Sequence, residues 1–356
     1  MTALPTLERR DFGALPDGRR VELVCLRAEG IEARVMSYGA TLQALLVADR
    51  DGRLEDVVLG HDDLDGYVET RSFYGATIGR YANRIARGTF AIDGETFTVP
   101  ANDGENALHG GAEGFDRHVW NIAETGEGAE PFVRLTHTSP DGEGGFPGEL
   151  ATSVTYRLRA RELAIEFEAE TDRPTIVNLT NHAFFNLGGT KAVTDILGHE
   201  LTIEADEFLP VGDGAIPLGA PAPVAGTAFD FRTSHVIGGR IRAPEEQIRQ
   251  GRGYDHNWCI RGPSGGEPRM AATVRNPANG LQMRLLTDQP GVQFYSGNFL
   301  DGTSVGKNGQ IHRMGDALCL EPQRYPDSPN RPDYPSARLE PGATYRHRST
   351  YRFMHA

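Results

Sequence analysis

The stretch ATSVTYRLRARELAIEFEAET, residues 151–171, decides the fold. Apolar side chains recur at every second position, at Val154, Tyr156 and Leu158 and again at Leu163, Ile165 and Phe167. A period of two puts such side chains on one face of an extended chain, whereas helical spacing would spread them around a cylinder. The segment therefore reads as a long antiparallel pair of strands with one face buried.

Working outward, the same reading applies along most of the chain. GTFAIDGETFTVP, residues 88–100, has two strand-like halves around Asp93-Gly94, a dipeptide that tolerates the positive φ angles of a tight hairpin turn. Further strand candidates are VELVCLRA from Val21, IEARVMSYGATLQALLVAD from Ile31, HELTIEADEF from His199, LQMRLLT from Leu281, ALCLEPQ from Ala317 and TYRHRSTYRFM from Thr344. Only PEEQIRQ, from Pro244, looks helical, with Pro and Glu where a helix start favours them. Gly (43 residues) and Pro (22 residues) are spread along the chain instead of gathering into a linker. The expectation is an all-β protein, a large antiparallel β-sandwich formed as a single domain over residues 1–356.

Composition narrows the partners. Lys+Arg 36 against Asp+Glu 49 leaves a net charge of -13, which repels nucleic-acid backbones and anionic membranes. A small neutral ligand fits better. No basic start followed by an apolar core marks the N-terminus, and the longest aliphatic stretch, around Leu42 to Ala48, is too short to span a bilayer. The cysteines, Cys25, Cys259 and Cys319, form no CxxC pair and read as small core residues in a reducing compartment. A cytoplasmic location is expected.

No P-loop, HExxH, EF-hand loop, dinucleotide fingerprint or GxSxG elbow is present. Chemistry must then come from ordinary polar side chains, which points to proton transfer without a cofactor. Several segments place polar groups in apolar or glycine-rich surroundings: IGRYANRIARG from Ile78, ENALHGG from Glu105, TNHAFFNLGG from Thr180, YDHNW from Tyr254 and LCLEPQRYPDSPN from Leu318. Alternation puts His182 and Phe184 on one face of the third, an imidazole beside a flat apolar ring of the kind that suits a two-faced sugar. In the last, Cys319 and Glu321 share a face, and Pro322 keeps Glu321 extended. Burial would raise the Glu321 pKa and a neighbouring cation would lower it, and both are open at this point.

These segments, in this order, resemble the aldose 1-epimerase family, the galactose mutarotases. The likeness runs from about Tyr38 to the C-terminus and also takes in NRIARGTF, GFDRHVW, DGEGGFPGEL and GVQFYSGNFLDG. It implies a sandwich of the galactose-mutarotase (supersandwich) type, no cofactor, and a free monosaccharide whose α and β anomers are interconverted. It further implies Glu321 as general base and His182 as general acid. His109, Arg84 and Asp255 would contact the sugar, with Asn83 and Gln293 lining the same pocket.

Blander readings stand beside these. The other nine of the 11 histidines read as structural or surface groups. Arg84 and Asp255 could form a structural ion pair. The acids around His61-Asp62-Asp63 and Asp65, and the Glu143 loop, read as solvated turns, and no metal is assigned. Two rivals remain: a hexose-phosphate epimerase, which would need Arg80, Arg84 and Arg87 to converge, and a non-catalytic sugar-binding module. The assembly is expected to be a monomer or homodimer.

Overall fold

The computed structural model describes residues 6–191 and 194–355. The deciding stretch forms a hairpin of Leu150–Arg159 and Glu162–Thr171, with Val154 opposite Phe167, Tyr156 opposite Ile165 and Leu158 opposite Leu163. All six side chains are buried. Burying each such side chain contributes roughly 1.5–3 kcal/mol, which is why this register, and not one shifted by a residue, is adopted.

This hairpin is the middle of a nine-stranded antiparallel sheet ordered Asn121–Gly126, Phe132–Ser139, Leu150–Arg159, Glu162–Thr171, Tyr345–His355, Leu281–Thr287, Arg269–Arg275, Glu200–Ile203 and His235–Val236. A six-stranded sheet faces it, ordered Phe184–Phe185, Leu318–Gln323, Gly291–Tyr295, Asp255–Ile260, Ala205–Leu209 and Ala222–Pro223. Between them Tyr156, Ile165, Phe167, Tyr351 and Phe353 share a core with Trp258, Phe294, Leu318 and Leu320. The Tyr351 hydroxyl crosses that layer and donates to the Leu320 carbonyl at 3.3 Å. A five-stranded sheet from Thr6–Ala14 to Leu54–Asp56 extends the same core through Val24, Leu26, Val35 and Leu45. The all-β sandwich expected from the sequence is the architecture found.

Three departures have physical causes. HELTIEADEF is not one strand: Glu200–Ile203 belongs to the nine-stranded sheet and Ala205–Leu209 to the six-stranded one, so the chain changes layers at Glu204. The stretch from Ile31 likewise divides, Gly39 and Ala40 taking positive φ between the strands Ile31–Met36 and Thr41–Ala48. The acids after His61, read as a solvated turn, instead start a helix, Leu64–Glu69, which Asp63 caps by accepting from the Gly66 amide. Leu64 is buried there with Val21, Leu23 and Met36. Six residues are too few for a helical period to show against such charge. The expected short helix after Pro244 is present as Glu246–Gly251, and the Asp93-Gly94 turn has φ of 51° and 84° as its hairpin requires.

Candidate active site

Strand alternation divides the six-stranded sheet into two chemically different faces. Register sets Asn257 opposite Gln293 and Gln293 opposite Glu321. Side chains two residues away, Asp255, Cys319 and Gln323, fall on that same face. The other face carries Trp258, Val292, Phe294, Leu318 and Leu320 into the core. A sheet that spends one face on the core is thereby left with a row of amides and carboxylates on the other.

That row forms the floor of a cleft of about 420 Å3. Glu321, His182, Arg84, His109, Asp255, Asn83 and Gln293, drawn from widely separated segments, all line it. His182 Nε2 lies 3.6 Å from Glu321 Oε2. That carboxylate oxygen is buried and accepts no hydrogen bond. A buried lone pair without a donor costs free energy, so the oxygen is poised for a ligand hydroxyl.

His182 sits between the short strands Thr180–Asn181 and Phe184–Phe185, its amide donating to the Ala76 carbonyl. Its ring is stacked between Phe184, at 4.9 Å between centroids, and Phe73, at 5.9 Å. Phe184 was expected beside the imidazole; Phe73, from a distant loop, was not legible. Cys319, expected as a core residue, is buried, but its Sγ also touches His182 Nδ1 at 3.6 Å.

His109 follows from its turn. Its φ is 53°, and Gly110 and Gly111 continue with φ of 84° and 81°. Its Nδ1 accepts from the Asn83 amide at 3.2 Å, which fixes the proton on Nε2 and makes the ring a hydrogen-bond donor. Phe73, Asn83 and His109 all line the cleft with positive φ, backbone strain of the kind that gathers at ligand sites.

The ion pair entertained between Arg84 and Asp255 does not form. Arg84 Nε donates to Asp103 at 2.7 Å, while Asp255 accepts from Gln293 Nε2 at 2.8 Å. Asp103 was missed because a lone acid in a turn carries no pattern. Arg71, also in the cleft, is held by Asp116 at 2.8 Å.

Burial dominates the electrostatics. It pushes the Glu321 carboxyl well above the ordinary carboxylate range, helped by the charge of Asp255 and opposed by Arg84. It raises Asp255 likewise, against Arg84 and the Gln293 amide. It lowers His182 to about 4, and it holds His109 well below the usual imidazole value, with His182 and Arg84 adding to the effect. Burial thus favours the uncharged form of each group, Glu321 as the acid and His182 as the free imidazole, so the two titrate as a pair.

Comparison with known proteins gives the family. The family model for aldose 1-epimerase matches residues 22–352. The galactose mutarotases of mouse and human are each 44% identical, over 98% of this chain and 98% and 99% of theirs. The aldose 1-epimerase of Escherichia coli is 39% identical over 95% of this chain and 97% of its own. Among solved structures, galactose 1-epimerase from Lactobacillus acidophilus superposes with a TM-score of 0.87 at 30% identity, covering 99% of this chain and 100% of that one.

Proposed function

The chain belongs to the aldose 1-epimerase family, isomerases that interconvert the anomers of an aldose, and on that premise we propose that Glu321 is its general base and His182 its general acid. The observation that carries this assignment is the unpartnered Glu321 Oε2 facing His182 Nε2 across 3.6 Å inside the cleft.

Ring opening requires a proton to leave the anomeric hydroxyl and another to reach the ring oxygen as the C1–O bond breaks. Glu321 accepts the first and His182 supplies the second. The pair already owns the single proton this needs. Burial favours its residence on Glu321; hydroxyls of a bound sugar that donate to the Glu321 carboxylate stabilise the ionised form, and the proton moves to the imidazole. Rotation about C1–C2 and reversal of both transfers closes the opposite anomer. Proton transfers of this type contribute roughly 10²–10⁴ each in rate. His109 Nε2–H, Arg84, Asp255, Asn83 and Gln293 fix the sugar's orientation, with charge-assisted bonds from the ionised members.

The substrate we propose is a free aldohexose, the class named by the galactose mutarotases among its relatives. A phosphorylated sugar is disfavoured by the cations. Arg80 is buried and spends its guanidinium on Ser139, Pro140, Pro147 and Gly148. Arg71 and Arg84, which do line the cleft, are each committed to an aspartate. The shared core from Val24 to Phe353 supports a single domain, and the free thiols of Cys25, Cys259 and Cys319 support a cytoplasmic setting. Among the described residues no helix is long and apolar enough to cross a membrane.

Polarimetry on pure α-anomers of galactose, glucose, xylose and arabinose, and on glucose 6-phosphate, tests the proposal. The free sugars should reach their equilibrium rotation faster with enzyme than without. Acceleration confined to the phosphorylated sugar, or absent throughout, overturns it.

A further inference from the structure

Behind the rim of the cleft, three side chains from separate segments converge. His118 follows the turn Phe115–Arg117, His137 lies on the strand Phe132–Ser139, and Glu143 begins the turn Glu143–Gly145. One nitrogen or oxygen of each lies within 4.8 Å of the others. His118 Nε2 is 3.8 Å from Glu143 Oε1, and His137 Nε2 is 3.8 Å from Glu143 Oε2. The carboxylate is bracketed, one oxygen to each imidazole.

Those separations are too long for hydrogen bonds. They are a little wider than the roughly 3.3 Å between two ligands that each sit about 2.0–2.1 Å from a tetrahedral ion. Coordination would draw the donors inward onto the ion.

The surroundings prepare the donors. His137 Nε2 is buried and makes no hydrogen bond. Its ring is boxed by Phe115 at 5.2 Å, Trp120 at 5.4 Å and His118 at 4.4 Å, so it cannot turn away without disturbing the core. His118 Nε2 donates to the Glu113 carbonyl at 3.3 Å, a long contact that a bound ion would replace. Glu143 is held from behind by the Ser139 hydroxyl, which itself receives Arg80 Nε at 2.8 Å. Carboxylate ligands oriented by such outer partners are the rule at metal sites. All three side chains remain partly open, with exposures of 22%, 12% and 17%, so a water could complete the coordination.

We propose that His118, His137 and Glu143 form a binding site for a divalent ion with the ligand preference of zinc, distinct from the sugar cleft. Two imidazoles and one carboxylate are borderline donors that suit Zn2+; Ca2+ and Mg2+ call for more oxygen ligands. No metal spacing shows in the sequence here because the donors come from three segments, and Glu143 alone reads as a turn acid.

A bound ion would staple the turn downstream of His109 to the nine-stranded sheet. Asp116, in that turn, holds Arg71 at the cleft. The role is structural, bracing the cleft wall from behind, and no reaction step passes through it.

The test must separate this site from the cleft, where His109, His182 and Glu321 also lie within ligand range of one another. The metal-free full-length protein is titrated with Zn2+ by calorimetry, melting temperature is followed in parallel, and Co2+ absorption reports coordination. One ion should bind per chain with micromolar or tighter affinity and raise the melting temperature. Both effects should persist in Glu321→Gln. In His118→Ala affinity should fall at least about tenfold and the thermal gain should vanish, with metal-free mutarotation unchanged. Glu143→Gln should behave the same way. Absence of Zn2+ binding by the wild type, wild-type affinity in His118→Ala, or loss of the ion in Glu321→Gln would each overturn the proposal.

Discussion

The smallest unit of the account is a carboxyl group whose environment opposes its ionisation. Glu321 is buried and its pKa is raised, so the folded state binds its proton more tightly than the unfolded chain does. Its contribution to stability is therefore complete below the ordinary carboxylate pKa and is lost as pH rises toward the folded value. Glu321→Gln removes that loss. Thermal melts should show the variant more stable than wild type by roughly 0.5–2 kcal/mol at pH 8, with the gap closing near pH 4; a less stable variant at pH 8 contradicts the burial argument. On the proposed assignment the same two groups set the activity profile. Below about 4 His182 gains a proton while Glu321 already has one, and no base remains. Above the raised Glu321 value the pair has no proton to give. The rate constant kcat/KM should accordingly form a broad plateau starting near pH 4, and an acid limb centred at the ordinary imidazole pKa would refute the assignment. At this scale the sequence was informative wherever a residue sat in a patterned segment. The pattern set His182 beside Phe184 and singled out Glu321, whereas Phe73, Asp103 and the contact of Cys319 with His182 depend on loops meeting in space.

Elements carry the geometry. The strand alternation that sent Phe294, Leu318 and Leu320 inward is what turned Gln293 and Glu321 outward; the face shared by Cys319 and Glu321 was read from that pattern, whereas Gln293 was expected only from the family resemblance. Strand breaks were less legible: the layer change at Glu204 follows from packing between sheets and leaves no local signal in HELTIEADEF. Nor did charge around the Leu64–Glu69 helix disclose the buried Leu64 beneath it. The turn carrying His109 offers a direct check. A Cβ on Gly110 would lie 1.9 Å from the Gly79 carbonyl oxygen, and its φ of 84° already disfavours a side chain. Gly142 has a similar φ of 83° with nothing within 4 Å. Gly110→Ala should cost about 2 kcal/mol or more and raise KM by displacing His109, while Gly142→Ala should cost only about 1 kcal/mol and leave KM unchanged. Equal losses of stability in the two variants, measured by denaturant unfolding, would show that the close approach at Gly110 is unimportant.

On the scale of the whole molecule, the sandwich buries imidazoles as well as apolar side chains. His182, His199, His312 and His347 are lowered to about 4 and His256 to about 3, in each case chiefly by burial. Between pH 6.5 and 4 the unfolded chain takes up these protons and the folded one does not, so stability falls with falling pH by up to about 1.4 kcal/mol per unit for each group. Glu321, Asp255, Asp316 and Asp327, with raised values, act in the opposite direction but are fewer. Unfolding free energy should therefore drop steeply from pH 6.5 toward 4, and a flat profile over that range would contradict the protonation states on which the mechanism rests. What the molecule does with its cleft rests most directly on one comparison: the first-order change in optical rotation of pure α-galactose with wild type and with Glu321→Gln, alongside sugar binding by calorimetry. Turnover should fall by roughly 10²–10⁴ while binding survives. A variant that turns over near the wild-type rate would show that Glu321 is not the base.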